Sequence, residues 1–218
     1  MKQILILSTA ILLLASCNNN KSDKTETTEK QEILNAEGQQ YSIDSSSIVT
    51  WTGSKPTGKH TGTFHVKEGN ITVNNNNISA GNFTIDVTSL TNNDLAADPE
   101  NKGKLEGHLK SPDFFDIAKY PTARFEITSV EPYTSDGTNK SPGNFTHLIK
   151  GNLSLKDSTK NISVPAKVTV DANSLTASAD FNIDRTTWGM NYKGPNNPQD
   201  WFISKMVNVK LDIKATKK

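Results

Sequence analysis

Strict alternation of apolar and polar residues over short stretches is the feature that most constrains this chain. Near the C-terminus, Val207, Val209, Leu211 and Ile213 are separated by Asn, Lys and Asp. A period of two is typical of a half-buried β-strand, and Gly-, Asn- and Asp-rich turns separate the alternating runs. The sequence therefore predicts an all-β fold of short antiparallel strands. Similar runs occupy residues 48–52, 63–67, 71–73, 83–87, 124–127, 153–155 and 164–170.

Only residues 94–110 depart from this alternation. They carry Leu95, Leu105 and Leu109 among Ala, Lys and Glu, and the later part of the stretch predicts a short helix that ends before Pro112. The sequence has no internal repeat and no second break in composition after the N-terminal region. Many short strands with one short helical insertion favour a closed barrel or a sandwich built as a single domain.

The N-terminus has the features of an export signal. Lys2 precedes an apolar run over residues 4–14, and small residues lead to Cys17, the only cysteine of the chain. The run is shorter than the roughly 20 apolar residues that a membrane-spanning helix needs. A cysteine at the cleavage point resembles the bacterial lipobox, whose thiol is diacylated after cleavage. We therefore expect a signal peptide over residues 1–16 and a lipidated Cys17; the alternative is an ordinary signal peptide with a chance cysteine.

Residues 17–40 are predicted to form a flexible linker behind the lipid. Ile33 and Leu34 are the only large apolar side chains after Cys17 in this stretch, which is too few to offset the entropy of ordering it. The folded domain is expected over residues 41–214. Because Asn18 stands where enteric sorting rules place an Asp for inner-membrane retention, we expect the outer membrane, facing the periplasm or exposed at the surface.

Composition and motifs argue against several other functions. The 24 basic and 23 acidic residues nearly cancel, so no electrostatic footprint for nucleic acid is present. The sequence contains no nucleophile elbow and no Gly-rich phosphate loop, so we expect no enzyme, no catalytic residues and no cofactor. Four histidines make a metal site the sharper rival, but His60 and His65 are five apart and fall on opposite faces of a strand. We therefore expect no metal.

Four stretches together resemble the YceI-like family of bacterial periplasmic proteins. The longest is His108–Pro121, with the core HLKSPDFFD, and the others are His60–Phe64, Lys150–Pro165 and Phe181–Met190. The resemblance covers about residues 41–214. It implies a lipocalin-like antiparallel barrel of about 8 strands whose long apolar lumen holds a polyisoprenoid chain. The opening segment Trp51–Pro56 and the polar loop at residues 195–200 depart from the more familiar members.

A lumen of this kind would be lined by inward-facing aromatic and aliphatic residues, although each of them could equally be ordinary core. A barrel of about 8 strands has room for side chains or for one slim ligand. The candidate lining residues are Trp51, Phe64, Val66, Phe83, Ile85, Phe114, Phe115, Phe125, Phe181, Trp188 and Trp201.

Two polar residues are added to the candidate ligand site. His108 either lies at the pocket mouth and donates to a quinone carbonyl or pyrophosphate, or it braces the helix. Arg185 either clamps a diphosphate head group or pairs with an acidic residue to lock the corner of the barrel. The acidic partners considered for Arg185 are Asp113, Asp116 and Asp184.

Two functional hypotheses follow. The first is a lipid-anchored envelope protein that binds a polyisoprenoid, such as an isoprenoid quinone or a polyprenyl-type lipid, for carriage or sequestration. The second is an envelope stress or interaction lipoprotein whose barrel is filled by its own side chains and holds no lipid. Small residues that face inward would favour the first, and the candidates for that role are Gly62, Ala80, Gly81 and Gly151.

Overall fold

The computed structural model describes residues 24–134, 144–193 and 203–218. Ten strands and one α-helix are found there: β1 Thr27–Glu29, β2 Gln39–Ile43, β3 Ile48–Lys55, β4 Gly58–Asn74, β5 Asn77–Asn92, α1 Pro99–Lys110, β6 Thr122–Pro132, β7 His147–Leu155, β8 Ser158–Val170, β9 Ser174–Asp184 and β10 Met206–Lys217.

These strands form a closed antiparallel barrel. Each of β3 to β9 pairs with the next strand along the chain, and β10 pairs with both β9 and β3. Strand β2 follows the same path as β3, between β10 and β4, so the two share one of eight strand positions. The predicted all-β barrel of about 8 strands with one helical insertion is confirmed.

The alternation in β10 sets which side chains face the lumen. Val207 is paired with Gly53, Val209 with Trp51, and Leu211 with Val49. The intervening residues of β10 are charged or polar and lie on the outer surface. A period of two therefore gives each strand one face toward the interior and one toward solvent.

Helix α1 occupies the later part of residues 94–110, as predicted. Asp98 caps its N-terminus by accepting a hydrogen bond from the Asn101 amide, and Pro99 occupies the first turn, where its missing N–H costs nothing. The helix ends at Lys110, before Pro112, as predicted. No residue of α1 is fully buried, so the helix lies over the end of the barrel rather than inside it.

The flexible linker predicted for residues 17–40 is wrong from Lys24 onward. Strand β1 pairs with β8, the Thr25 amide donates to the Asn182 carbonyl of β9 at 2.9 Å, and the Asn152 side chain bonds both backbone groups of Gln31. Strand β9 pairs with β8 only at residues 166–170 of β8, and beyond that point the two strands separate. The backbone groups that they leave unpaired there form hydrogen bonds with this N-terminal segment. Composition could not reveal this, since the segment is held by backbone hydrogen bonds and not by apolar burial.

Candidate ligand-binding cavity

The barrel encloses a cavity of about 570 Å³. Its wall is almost entirely aliphatic and aromatic, and no Asp or Glu is among the residues that line it in the described part of the chain. A volume of this size lies within the range of small-molecule pockets. The chemistry of the wall therefore suits an apolar ligand.

The cavity reaches the surface at one end of the barrel, here called the mouth end. This end comprises the β3–β4 hairpin, α1, residues 185–193 and residues 203–205. Four of the five exposed residues that line the cavity belong to it: Ser54, Lys55, Gly58 and Lys193. The opposite end, here called the far end, carries the β4–β5 turn at residues 74–77 and the β8–β9 turn at residues 171–173.

The structure brings ten of the predicted site residues together around this cavity. Val66 and Trp188 are buried but do not line it, and the Trp188 indole donates instead to the Leu153 carbonyl at 3.0 Å. Cys17, Trp201 and the loop at residues 195–200 lie outside the described residues. The ten that line the cavity are Trp51, Phe64, Phe83, Ile85, His108, Phe114, Phe115, Phe125, Phe181 and Arg185.

The sequence suggested that inward-facing glycines would leave empty space in the lumen. In the structure, two of them instead make room for aromatic rings at the wall. A Cβ added at Gly151 would lie 2.2 Å from the Phe125 ring, and one at Gly62 would lie 2.5 Å from the Trp51 ring. Each ring thus occupies the place of a missing side chain on the neighbouring strand. The lumen stays open because these rings are drawn into the wall.

The aliphatic half of the wall is what the sequence reasoning missed. Strands β7, β8 and β10 line the cavity with Ile, Leu, Val and Ala, and α1 adds Leu105 and Leu109. The alternating pattern marked many of these positions as inward-facing, but only two aliphatic residues, Val66 and Ile85, were selected as candidates beside the aromatic ones. The main residues in this group are Ile149, Leu153, Leu155, Ile162, Val164, Ala166, Val207, Val209, Leu211 and Ile213.

Arg185 is a buried cation at the mouth end, only 3% exposed. Its guanidinium donates to four backbone carbonyls, at about 3.0 Å for those of Tyr192, Ile203 and Ser204, with Met190 as the fourth. Burial lowers its pKa, while the nearby Asp184 acts in the opposite direction. Arg185 therefore holds together the two chain segments that border the mouth.

Of the three acidic partners considered for Arg185, only Asp184 acts on it electrostatically, and that carboxylate makes its close contacts elsewhere. Asp184 accepts from the backbone amide and hydroxyl of Thr186, and lies 3.6 Å from the Lys24 ammonium and 3.5 Å from that of Lys205. Burial would raise the pKa of Asp184, but these hydrogen bonds and the two lysines outweigh it and lower the pKa.

His108 has the position at the mouth that the first hypothesis required and a bracing contact that the second required. It lines the cavity at the C-terminal end of α1, and its Nε2 lies 2.9 Å from the Asp113 carboxylate. Its ring makes edge contacts with Phe114 and Tyr192, at 5.1 and 4.6 Å between centroids. His108 therefore sits at the mouth while bracing the turn that follows the helix.

A second histidine–carboxylate pair fixes the other side of the mouth end. His60 Nδ1 lies 2.8 Å from Asp94, which also accepts from the Thr61 amide and the Asn92 side chain. Burial raises the pKa of Asp94, but these hydrogen bonds outweigh it and hold the pKa at about 2. In the described parts of the chain, no group of three or more His, Asp or Glu side chains is arranged to hold a metal ion.

None of the helices that the structure describes is long and apolar enough to cross a membrane.

Comparison with known proteins places the domain in a family. Residues 41–215 match the family model described as the YceI-like domain. Protein YceI of Escherichia coli O17:K52:H18 is 35% identical over 109 residues, which cover 49% of this chain and 48% of that protein. A UPF0312 protein of Azotobacter vinelandii is 34% identical over 93 residues, covering 40% of this chain and 44% of that protein. The chain thus spans about half the length of the curated relatives that it matches.

Solved structures share the fold at lower identity. Burkholderia cenocepacia BcnA has a TM-score of 0.60 at 19% identity, covering 80% of this chain and 99% of that one. A polyisoprenoid-binding domain from Saccharophagus degradans has a TM-score of 0.59 at 17% identity, covering 82% of this chain and 98% of that one. These identities speak for the fold alone, whereas the family match covers most of the chain. This chain therefore belongs to the YceI-like domain family.

Proposed function

We propose that this chain is a lipid-anchored cell-envelope protein that binds a polyisoprenoid chain, of a quinone or polyprenyl-type lipid, in the barrel lumen for carriage or sequestration. The observation that carries the proposal is the apolar cavity of about 570 Å³ with no carboxylate in its described lining. The resemblance of the fold to a polyisoprenoid-binding domain from Saccharophagus degradans supports the same ligand class. We propose binding, not catalysis, as its activity.

The energetics of apolar burial suit such a ligand. Each buried methylene contributes about 0.8 kcal/mol, so a five-carbon isoprene unit contributes roughly 3–4 kcal/mol. Two or three units would offset an association cost of several kcal/mol and still give about micromolar binding. A hydrocarbon chain needs no polar partner deep in the lumen, which fits this wall.

The alternative, a filled barrel that holds no lipid, is less compatible with this structure. Large aromatic side chains are present in the lumen, but Gly62 and Gly151 let two of them lie against the wall. Strands β8 and β9 face the cavity with alanines at Ala166, Ala177 and Ala179. These small residues leave space that a self-filled barrel would have occupied.

Ligand binding can be tested by native mass spectrometry of residues 18–218 incubated with an isoprenoid quinone and with a polyprenyl phosphate. We expect a bound mass that is lost in Ala179→Phe, because Ala179 lines the cavity and a phenyl ring there fills it. Thr176→Phe is the matched control, since Thr176 is exposed on the same strand and is not a lining residue. An unmodified protein that binds neither lipid would contradict the proposal.

Trp51 offers a way to find where the ligand head group lies. Its indole Nε1–H is buried and has no hydrogen-bond partner among the described residues, although the ring lines the cavity. A buried donor without a partner costs about 1–3 kcal/mol, which a ligand oxygen would recover. Trp51→Phe should therefore weaken binding of a quinone, which carries carbonyl acceptors, more than binding of a plain polyisoprenoid hydrocarbon.

The anchor is proposed at Cys17, in the outer membrane and facing the periplasm or the exterior. Asn18 after the cysteine supports this location, since it departs from the Asp of inner-membrane retention in enteric bacteria. Expression of the full chain in a bacterium, followed by membrane fractionation and mass measurement of the N-terminal peptide, tests it. We expect a diacylated Cys17 in the outer-membrane fraction, and a soluble protein for Cys17→Ser. An unmodified cysteine would contradict the anchor without bearing on the cavity.

A further inference from the structure

We propose that a polyisoprenoid chain enters and leaves the cavity through a slit in the side of the barrel, which opens when residues 24–31 move away. These residues are here called the strap. The slit would run from the mouth end between β8 and β9, and it would admit a long chain sideways instead of end-on. This inference rests on the proposed apolar ligand and adds the route by which it reaches the lumen.

Strands β8 and β9 pair directly only in the half of the barrel near the far end. Their register ends at Ala166 and Ala179, and although the structure describes both strands in full, residues 158–165 and 180–184 do not pair with each other. Both strands keep their other neighbours along this stretch, β8 with β7 and β9 with β10. The wall is therefore split along this seam from the middle of the barrel to Arg185 at the mouth end.

The strap fills the seam. Its β1 part pairs with β8, where Thr27 lies opposite Ile162. On the other side, the Thr25 amide donates to the Asn182 carbonyl of β9 at 2.9 Å. Because neighbouring strands lie about 4.8 Å apart, a strand between them holds the backbones of β8 and β9 about 10 Å apart. Displacement of the strap would leave a slit of that width.

Both edges of this slit carry side chains that line the cavity. Ile162 and Val164 of β8, and Phe181 and Ile183 of β9, face the lumen and are buried. Displacing the strap would therefore open the apolar lumen along the side of the barrel. No residue of the strap, which the structure describes throughout, lines the cavity itself. Movement of the strap would thus change how fast a ligand passes, and not the contacts that hold it once bound.

Polar contacts hold the strap in place, and apolar burial does not. The structure describes all of residues 24–31, and only Thr25 among them is buried. The ion pairs of the strap use Lys24 and Glu29, which are both exposed, and exposed ion pairs contribute little to stability. Segments with few buried apolar contacts open more readily than core strands do. The strap is therefore the part of this wall that can leave while the barrel stays folded.

The end of the strap at Gln31 is the fixed point about which it would swing. The Asn152 side chain of β7, which is fully buried, bonds the backbone amide and carbonyl of Gln31 at 3.0 and 2.7 Å. Farther along, the Leu34 amide donates to the Ile127 carbonyl of β6 at 2.9 Å. These contacts keep the following segment on the barrel while Lys24, at the other end of the strap, moves away from β9.

The route can be tested with a reversible lock on the strap in residues 18–218, whose natural sequence has no cysteine. Lys24 and Asn182 form a bridge between the strap and β9, and neither lines the cavity. Lys24→Cys with Asn182→Cys therefore allows a disulfide that fixes the strap to β9 and that a reductant releases. The matched control is Asn182→Cys with Asn208→Cys, because residues 182 and 208 lie opposite each other on β9 and β10, which stay paired.

The measurement is the rate at which an isoprenoid quinone with a short side chain quenches tryptophan fluorescence, since Trp51 lines the cavity. We expect the oxidised lock to slow association and dissociation severalfold with an unchanged Kd, and reduction to restore both rates. The control disulfide should leave both rates unchanged. Equal rates for the oxidised and the reduced lock would overturn the slit. A changed Kd with an unchanged association rate would also overturn it, because the strap would then hold the ligand instead of controlling its passage.

Amide hydrogen exchange tests the opening of the strap without a ligand. The Ser163 amide donates to the Glu26 carbonyl of the strap at 3.2 Å, whereas the Val164 amide points to β7, since successive residues of a strand direct their backbone groups to opposite neighbours. In the reduced protein, we expect severalfold weaker protection of Ser163 than of Val164, and the oxidised lock should remove this difference. Equal protection in the reduced protein would overturn the opening. If Ser163 behaves as expected but no quinone binds, the cavity proposal and the route fail while the opening of the strap stands.

Discussion

The waist of the barrel and its mouth end are shaped by different forces. The waist is the apolar wall around Trp51 and Phe125. Steric fit sets the width of the lumen there, since the two aromatic rings lie where glycines lack a side chain. At the mouth end, buried polar contacts set the shape, above all the four carbonyls bound by Arg185.

The waist therefore sets how large a ligand the lumen can hold, and the mouth end sets how a ligand enters it. The waist can be widened or narrowed by exchanging side chains, and the backbone need not move when a ring can shift into the lumen. The mouth end depends on backbone groups that one side chain holds together, so its loss affects whole segments. Waist variants in which a ring can shift should therefore mainly change ligand binding, and waist variants that press on the backbone should change stability. Variants at the mouth end should change stability and ligand entry.

The largest effect is expected for Arg185→Ala at the mouth end. The change leaves four carbonyls without their donor, and unsatisfied buried groups cost about 1–3 kcal/mol each when water cannot reach them. Because water can enter near the mouth, we expect a total loss of about 3 kcal/mol, measured by urea unfolding. Arg124→Ala is the matched control, since Arg124 is half-exposed and pairs with Glu126 at 3.1 Å. A similar loss in both variants would contradict this account of the mouth end.

Gly62→Ala is expected to have the next largest effect, at the waist. A Cβ at this position would lie 2.0 Å from the Thr91 carbonyl oxygen, which belongs to the backbone and cannot swing away. Overpacking of this kind costs about 1–3 kcal/mol, and we expect the upper half of that range in urea unfolding. Gly53→Ala on the neighbouring strand is the control, because nothing lies within 4 Å of its added Cβ. Equal stability of the two variants would show that the wall is looser than its contacts imply.

A smaller effect on stability is expected for Gly151→Ala, together with a loss of lumen space. The three atoms nearest to the added Cβ all belong to the Phe125 ring, the closest at 2.2 Å, and a ring can move toward the cavity where a carbonyl cannot. We expect destabilisation of about 1 kcal/mol and weaker binding of isoprenoid lipid. Adding Phe125→Leu removes the ring and should restore both. If the double variant binds no better than Gly151→Ala, the ring is not what narrows the lumen.

Much of the waist could be predicted from the sequence. Alternation in β10 and β5 marked the inward positions, and the structure places Val207 and Phe83 on the cavity as that pattern required. The role of Gly62 could not be predicted, because it depends on Trp51 directly opposite on a paired strand. A period of two gives the face of a residue but not its partner across the sheet.

The mouth end was far less predictable. The acceptors of Arg185 are backbone carbonyls, which every residue carries, so no side-chain pattern marks them in the sequence. The same holds for residues 24–34, whose polar composition is typical of a linker although their backbone groups pair with β8 and β9. Composition reports what a segment can bury, and it does not report which backbone groups the rest of the fold leaves unpaired.

The smallest effect concerns Asp94 and depends on pH. Its pKa is held at about 2, below the ordinary aspartate value of 3.8: burial would raise the pKa, but hydrogen bonds from Thr61, His60 and Asn92 outweigh that effect. A lowered pKa in the folded state means that the carboxylate stabilises the fold fully above about pH 5, and that this contribution is lost as the pH falls through 3.8 toward 2. The side chain is 31% exposed, so solvent screening reduces its worth to about 1 kcal/mol.

Asp94→Asn should therefore be about 1 kcal/mol less stable than the unmodified chain at pH 7, and the gap should close as the pH approaches 2. Urea unfolding at a series of pH values measures it. Asp212→Asn controls for the loss of one negative charge, since Asp212 is exposed on β10 away from the mouth end. A stability difference that stays constant with pH would mean that packing around residue 94, and not the charge of its carboxylate, stabilises this part of the mouth end. The mouth end would then resemble the waist, and the contrast between the two regions would rest on Arg185 alone.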